Sequence, residues 1–293
     1  MTVIRYEMVN MFADRPFSGS ALTVVPEADG LSTAYMCAVA KEFGTPETAF
    51  VLPPSSAEAT YRVRVFTPAG ETPFGGHSSL GTSVTLARLG LIDKGPVVQE
   101  CGPRLLSISV SPDEGTVTAR QPVAAQEVDL ALLTAAAGLD AADVLDAPAR
   151  TAGFGPAFHY LPVRPGAVER AAGDIELMGA RELPDVMVFS WDEATRVVTA
   201  RVFAPGYGMP EDPACASNAL GLGAWLVAAG WLPGADGTYD YLIRQGVGSA
   251  RVGTVSCSVT VTRESGGVSE ASVTGRVVPV ARGEIFAAPG AVD

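Results

Sequence analysis

The chain has 293 residues, 47% of them apolar, and a formal net charge of −12, so it can build two domains with sizeable cores. That net charge, with Lys41 and Lys94 as the only lysines, argues against the basic footprint that nucleic acid requires and disfavours an anionic membrane surface. No apolar run reaches the roughly 20 residues of a membrane-spanning helix, and the opening MTVIRYEMVN lacks the basic-then-apolar order of a secretory signal.

In chain order, residues 32–43 read as an outer helix with Ser32 as its cap, and 47–51 as a strand. Residues 61–66, 105–110 and 116–120 alternate as strands. Strand pattern gives way to helix pattern near 121–126, so a first domain is expected over 1–121 and a second over 122–278. A last strand, about 279–293, is expected to return to the first domain. Residues 128–137 read as a helix, and the Ala-rich stretch 131–149 is helix-prone rather than low-complexity disorder. Residues 186–191, 197–203, 254–261 and 271–277 read as further strands, with Gly246-Val247-Gly248 as a turn between two of them. The cysteines Cys37, Cys101, Cys215 and Cys257 show no C-x-x-C spacing and read as thiols of a cytoplasmic protein.

One segment occurs twice. Residues 65–90 read VFTPAGETPFGGHSSLGTSVTLARLG and residues 202–230 read VFAPGYGMPEDPACASNALGLGAWLVAAG. Phe66 and Phe203 are 203 − 66 = 137 residues apart, and Gly90 and Gly230 are 230 − 90 = 140 apart, so the second turn is longer. Each copy is a strand, a Pro/Gly-rich turn and a helix-length run; Arg88 is the only charge in 77–89 or 217–229. A helix apolar all round is buried all round. We therefore expect an α+β protein of two pseudo-symmetric lobes, each with strands wrapped around a short buried helix, and one site between them. Gly81, Gly221 and Gly223 would allow close backbone approach, and Gly90 and Gly230 would end the helices in a left-handed cap. His77, Ser78 and Ser79 open one helix, and Ser217 and Asn218 the other. Helix N-termini attract small carboxylates, although Ser78 and Ser217 also suit plain N-caps.

There is no G-x-x-x-x-G-K-[ST], no strand–G-x-G-x-x-G–helix and no G-x-S-x-G. His77 and His159 are the only histidines, and no H-x-x-x-H or cysteine cluster is spaced for a metal.

The chain resembles the phenazine-biosynthesis isomerase-like family, which is related to diaminopimelate epimerases and proline racemases. The matching stretches are Val9-Asn10-Met11-Phe12 with Pro16-Phe17-Ser18-Gly19, then Glu47-Thr48-Ala49-Phe50-Val51, Phe66-Thr67-Pro68 through Gly76-His77, Glu211-Asp212-Pro213, and Gln245-Gly246 with Arg251. The resemblance implies a diaminopimelate epimerase-like fold, each lobe a β-barrel-like sheet around a central helix. It also implies a cofactor-independent isomerase or tautomerase that moves a proton and a double bond in a small unsaturated carboxylic or amino acid, as in antibiotic or other secondary-metabolite biosynthesis. Glu47 would carry the proton, His77 and Asp212 would orient the substrate and tune protonation, and Ser217 would help hold its carboxylate. A carboxyl enclosed among apolar groups can both take and give a proton near neutrality. Gly19, Ser20, Gly76, Ser78, Cys215 and Asn218 are the remaining expected substrate contacts. No metal is expected, and the assembly is expected to be a homodimer. His159 reads as a core or cleft-lining side chain, and Glu71 as a salt-bridge partner across its turn.

Several positions depart from the family pattern. Asn10 stands for the usual aspartate, Gly19-Ser20-Ala21 for G-N-P, and Asp212-Pro213-Ala214-Cys215-Ala216-Ser217-Asn218 for D-P-x-T-G-S-A. Ala216 and Asn218 would reshape the second pocket, leaving both a phenazine-precursor-like and an alkenyl- or pyrroline-carboxylate-like substrate open. Cys215 matches one thiol of the related racemases, while Gly75 stands where the other would be. A thiol-assisted racemase or epimerase is thus one alternative, and a non-catalytic small-molecule-binding protein is another.

Overall fold

Period-two alternation of apolar and polar side chains builds most of the chain from strands. The computed structural model describes residues 3–72, 76–262 and 267–286. The chain divides into two compact units, Met1–Val117 with Gly275–Asp293, and Thr118–Thr274.

In the first unit the order is β1 (Val3–Met11), β2 (Ser20–Val25), α1 (Thr33–Phe43), β3 (Glu47–Leu52), β4 (Tyr61–Thr67), β5 (Gly70–Thr72), α2 (Gly76–Arg88), β6 (Gly95–Cys101), β7 (Arg104–Val110) and β8 (Glu114–Arg120). The last strand, β17 (Gly267–Phe286), contributes its C-terminal part. Neighbouring strands follow the order β1-β2-β3-β4-β6-β7-β8-β17, and β17 pairs again with β1 from Val3↔Phe286 to Met11↔Val277, so the sheet closes on itself. Of the returning strand expected over 279–293, residues 287–293 lie outside the described residues. The β2–β3 and β4–β6 pairs are parallel, and parallel neighbours need a crossover. The first crossover is α1, capped by Ser32, whose hydroxyl accepts the Tyr35 N–H at 3.3 Å. It packs outside the sheet on Val25, Phe50, Leu52 and Phe66.

The second crossover, α2, takes the opposite side and meets β1, β2, β3, β6 and β7. Its burial explains the uncharged sequence, but five of its residues, Ser78, Ser79, Thr82, Ser83 and Thr85, are buried and polar. Three of these hydroxyls are satisfied internally. Thr85 donates to the Gly81 carbonyl at 2.7 Å and Ser83 to that of Leu80 at 3.1 Å. Ser79 accepts from Gln99 at 2.7 Å, and Gln99 in turn accepts from the Tyr61 hydroxyl at 2.9 Å.

The second unit holds α3 (Leu130–Ala136), β9 (Ala152–Gly153), β10 (Ala157–Phe158), β11 (Tyr160–Pro162), α4 (Ala167–Arg170), α5 (Ile175–Ala180), β12 (Val186–Asp192), β13 (Val197–Ala204), β14 (Met209–Asp212), α6 (Ala216–Ala228), β15 (Gly237–Gln245), β16 (Gly253–Thr262) and the N-terminal part of β17. Its pairings repeat those of the first unit. β11–β12 is parallel, β12–β13 antiparallel, β13–β15 parallel and β15–β16 antiparallel. The buried helix α6 corresponds to α2, and α3, α4 and α5 cover the outer face. The Ala-rich stretch is not one helix. After α3, Gly138 adopts φ +62° and Asp140 starts a separate single turn at Ala141–Asp143.

Each repeated turn is fastened alike. Arg64 makes a two-pronged ion pair with Glu71 at 2.7 and 2.6 Å, and Arg201 one with Glu211 at 2.9 and 2.7 Å. The guanidinium of each lies over the phenylalanine two residues on, at 5.2 Å for Phe66 and 5.0 Å for Phe203. The Arg64 hydrogen bonds hold the Glu71 carboxyl below its ordinary range. A depressed folded-state pKa stabilises the fold above the unfolded-state value and loses that contribution as pH falls through the folded one. Glu71→Gln is therefore expected to lower stability slightly near neutrality and to converge with the wild type at low pH, so that the acid-side loss shrinks, measured as urea midpoints between pH 7 and pH 3. An unchanged acid limb would remove Glu71 from that linkage.

Candidate active site

Pleating decides where Glu47 points. Thr48 turns to Thr45, at 3.3 Å between hydroxyls, and Phe50 and Leu52 join the α1 cluster. Glu47 and Ala49 therefore face the other side, toward α2. Leu22, the parallel partner of Glu47, shares that face, for its Cδ2 lies 2.6 Å from where a Cβ on Gly81 would sit. The Met11 sulfur is equally close to that point. At the far end of α2, Arg88 donates to Glu7 on β1 at 3.0 Å. Glu7 pairs with Val24 and Met11 with Ser20, so α2 runs antiparallel to β1 and parallel to β2. Its first turn thus lies at the end of the wrap where β2 and β3 begin, with Ser20 and Glu47.

Glu47 is 6% exposed there. Ser20, Ser78 and Thr82 are also buried, and none of their hydroxyls has a hydrogen-bond partner among the described residues. A buried hydroxyl left unmatched costs about 1–3 kcal/mol, so three near one helix end mark a place prepared for something polar. Gly19 has a structural reason as well: φ is +59°, and a Cβ would stand 2.1 Å from the Met11 carbonyl oxygen. The loop between is held by Asn10, whose Oδ1 accepts the Phe17 N–H at 2.7 Å while Phe17 sits at φ +68°. The departure from aspartate keeps the acceptor and removes the charge. Gly76 and His77 begin α2, but the side chain of His77, like residues 73–75 before it, lies outside the described residues.

In the second unit the expected residues fall in one tight turn. Asp212 ends β14, is 1% exposed, and accepts the Ala214 N–H at 3.0 Å. Gln245 braces the turn: its Nε2 donates to the Asp212 carbonyl at 2.8 Å and its Oε1 accepts the Cys215 N–H at 3.3 Å. Cys215, not Ser217, is the N-cap of α6, and its side chain makes no capping bond. Ser217 and Asn218 follow in the first turn, whose N–H groups no helical carbonyl accepts. Both amide atoms of Asn218 are buried without a partner among the described residues, while its carbonyl receives the Tyr160 hydroxyl at 2.8 Å. His159 is fixed to Asp185, donating its backbone N–H to Oδ1 at 2.9 Å with Nδ1 at 3.4 Å from the same oxygen. Burial, with the charges of Asp185 and Cys215, pushes the Tyr207 phenol up to about 12. Among the described residues no three His, Cys, Asp or Glu side chains converge as metal ligands. In the sequence Gln245 stands only as part of a motif and Asp185 in none; neither role has a local pattern.

The profile of the phenazine biosynthesis-like (PhzC-PhzF) family matches residues 9–283. The chain belongs to this family. An uncharacterized isomerase of Mesorhizobium japonicum is 29% identical over 98% of this chain and 100% of its own length. The trans-2,3-dihydro-3-hydroxyanthranilate isomerase of Pseudomonas aeruginosa is 30% identical over 73% of this chain and 77% of its own length. The crystal structure of a PhzF-family phenazine biosynthesis protein from Bacillus anthracis superposes with a TM-score of 0.86 at 25% identity, covering 98% of this chain and 100% of that one. The expected epimerase-like fold, a barrel-like wrap around a buried helix, is thus the fold of a PhzF-family protein. Among the described residues no helix is long and apolar enough to cross a membrane.

Proposed function

We propose that this PhzF-family isomerase moves a proton and a double bond within a small unsaturated carboxylic or amino acid of secondary metabolism, with Glu47 as the proton carrier. The observation that carries the reading is Glu47 itself, buried on the inner face of its sheet beside the first turn of α2 and near the unmatched hydroxyls of Ser20 and Ser78. Glu47 removes a proton from a saturated carbon next to the conjugated system. The C–H electron pair becomes the new double bond, and the displaced pair is held toward the substrate carboxylate. The same carboxyl then returns its proton to the far carbon, so the step balances without a co-reactant. His77 and Asp212 orient the substrate, and Ser217, with the first turn of α6, holds its carboxylate. Relatives named for trans-2,3-dihydro-3-hydroxyanthranilate isomerisation support a phenazine-precursor-like substrate. Ala216 and Asn218 keep a smaller pyrroline-carboxylate-like one in the same class.

A thiol-based reading rests on Cys215 at the cap of α6. The deciding experiment incubates trans-2,3-dihydro-3-hydroxyanthranilate and a set of alkenyl and cyclic imino acids with the enzyme in deuterated water and reads mass shifts. Positional isomerisation with retained function in Cys215→Ser is the expected result, the loss staying well short of the about 10² that marks a general acid–base group. Deuterium entering only Cα without bond migration, and vanishing in Cys215→Ser, would make the protein a racemase instead.

A further inference from the structure

The internal repeat reaches the proton carrier. Phe66 pairs with Thr48, and its repeat partner Phe203 pairs with Val186. One residue before Thr48 is Glu47, and one before Val186 is Asp185. The two acids face alike. Val186 and Val188 join the outer cluster under α3, α4 and α5, whereas Phe189, in phase with Asp185, packs on Trp225 of α6 at 5.2 Å. Asp185 therefore faces α6 as Glu47 faces α2. It lies at the same helix end, because Tyr160 reaches the Asn218 carbonyl in the first turn of α6 while Phe189 lies further along.

Asp185 is fully buried. Its Oδ1 is taken by the His159 N–H, and its Oδ2 has no hydrogen-bond partner among the described residues. No Lys or Arg pairs with it; His159 is its one ion-pair neighbour, at 3.4 Å, among those residues. A buried carboxylate half-matched in this way is costly, and such groups gather where a ligand completes them. The partner that best offsets a buried anion is a cation able to donate hydrogen bonds.

We propose that Asp185 is a specificity-determining residue whose Oδ2 receives the ammonium group of the substrate, so that the substrate is an amino acid rather than a simple unsaturated acid. The inference rests on the isomerase reading above and narrows it. His159 is the positioning residue, holding the other oxygen so that Oδ2 stays turned to the ligand. Tyr207, over Phe158 with ring centroids 6.1 Å apart, is the more exposed group bordering the carboxylate.

The test is calorimetric binding of two non-reacting pairs, trans-2-aminocyclohexanecarboxylate against cyclohexanecarboxylate, and L-proline against cyclopentanecarboxylate. The wild type is expected to bind the nitrogen-bearing member of at least one pair about 10-fold tighter or more, as a charge-assisted bond implies. Asp185→Asn should bring that pair within about 2-fold while leaving the deamino partner's Kd unchanged. No preference in the wild type, a preference that survives Asp185→Asn, or no binding by any of the four overturns the proposal. If Asp185→Asn does not fold, a crystal structure of the wild type with the tighter ligand decides: nitrogen within hydrogen-bond reach of Oδ2 supports the proposal, and nitrogen elsewhere overturns it. Glu47→Gln separates the two claims. It should keep the amine preference, and if it also keeps turnover, the acid–base reading falls while the ammonium site stands.

Discussion

Glu47→Gln is expected to preserve the fold and ligand binding and to lower isomerisation by about 10³–10⁴-fold, the upper end for a general acid–base group. Glutamine matches the size and hydrogen-bonding reach of glutamate but cannot take and return a proton. Because Glu47 is buried on the inner face of β3, its side chain has little freedom to be replaced by a neighbour or by bulk water. The measurement is kcat and KM on the substrate found by the deuterium screen, beside a thermal-melting control. A fall in kcat with KM nearly constant marks a group acting in the transition state. A rise in KM alone would demote Glu47 to a binding residue.

A large effect on stability is expected at Gly221. A Cβ there would stand 2.3 Å from the Tyr160 hydroxyl, 2.9 Å from the Ala152 carbonyl oxygen and 3.1 Å from the Gly153 Cα. Two of these are backbone atoms and cannot yield by rotation. Tyr160 is no freer, since its hydroxyl is committed to the Asn218 carbonyl and its ring lies beside Phe189 and Trp225. Alanine favours helix over glycine by about 1 kcal/mol, yet overpacking should outweigh that and leave a net loss of about 2–3 kcal/mol. Gly179→Ala is the control: nothing lies within 4 Å of its Cβ position, and it sits in α5 of the same unit. It should be neutral or slightly stabilising. Equal melting temperatures for the two variants would mean that α6 is not packed as described.

The strands and buried helices were legible because their signals are local. Alternation marked 61–66 and 197–203, which became β4 and β13, and the runs at 77–89 and 217–229, charged only at Arg88, became α2 and α6 within a residue. Gly90 and Gly230 adopt φ of +73° and +74°, as cap glycines do. What escaped was set by distant pairing. The strand Gly95–Cys101 carries no clean alternation and is fixed by its partners on β4 and β7. The Ala-rich stretch overrode its helix propensity because Gly138 turns the chain back against Ala172. Gln245 and Asp185 look ordinary in sequence; only folding sets one under the Asp212 turn and the other at the register position of Glu47.

Closure of the first unit has a consequence for synthesis. β1 leaves the ribosome first, yet the strand that pairs with it runs out to Phe286, 286 − 3 = 283 residues beyond Val3. Until then the nascent unit is an open sheet whose β1 edge is exposed for as long as the intervening chain takes to emerge. Contacts so distant in sequence make for slow folding, and unpaired edges invite association with other chains. The dependence runs one way: the second unit's own ladder from β11 to β16 is complete before the closing residues appear. A chain interrupted at residue 274 would retain Glu47 and its helix but not the strand that seals them in.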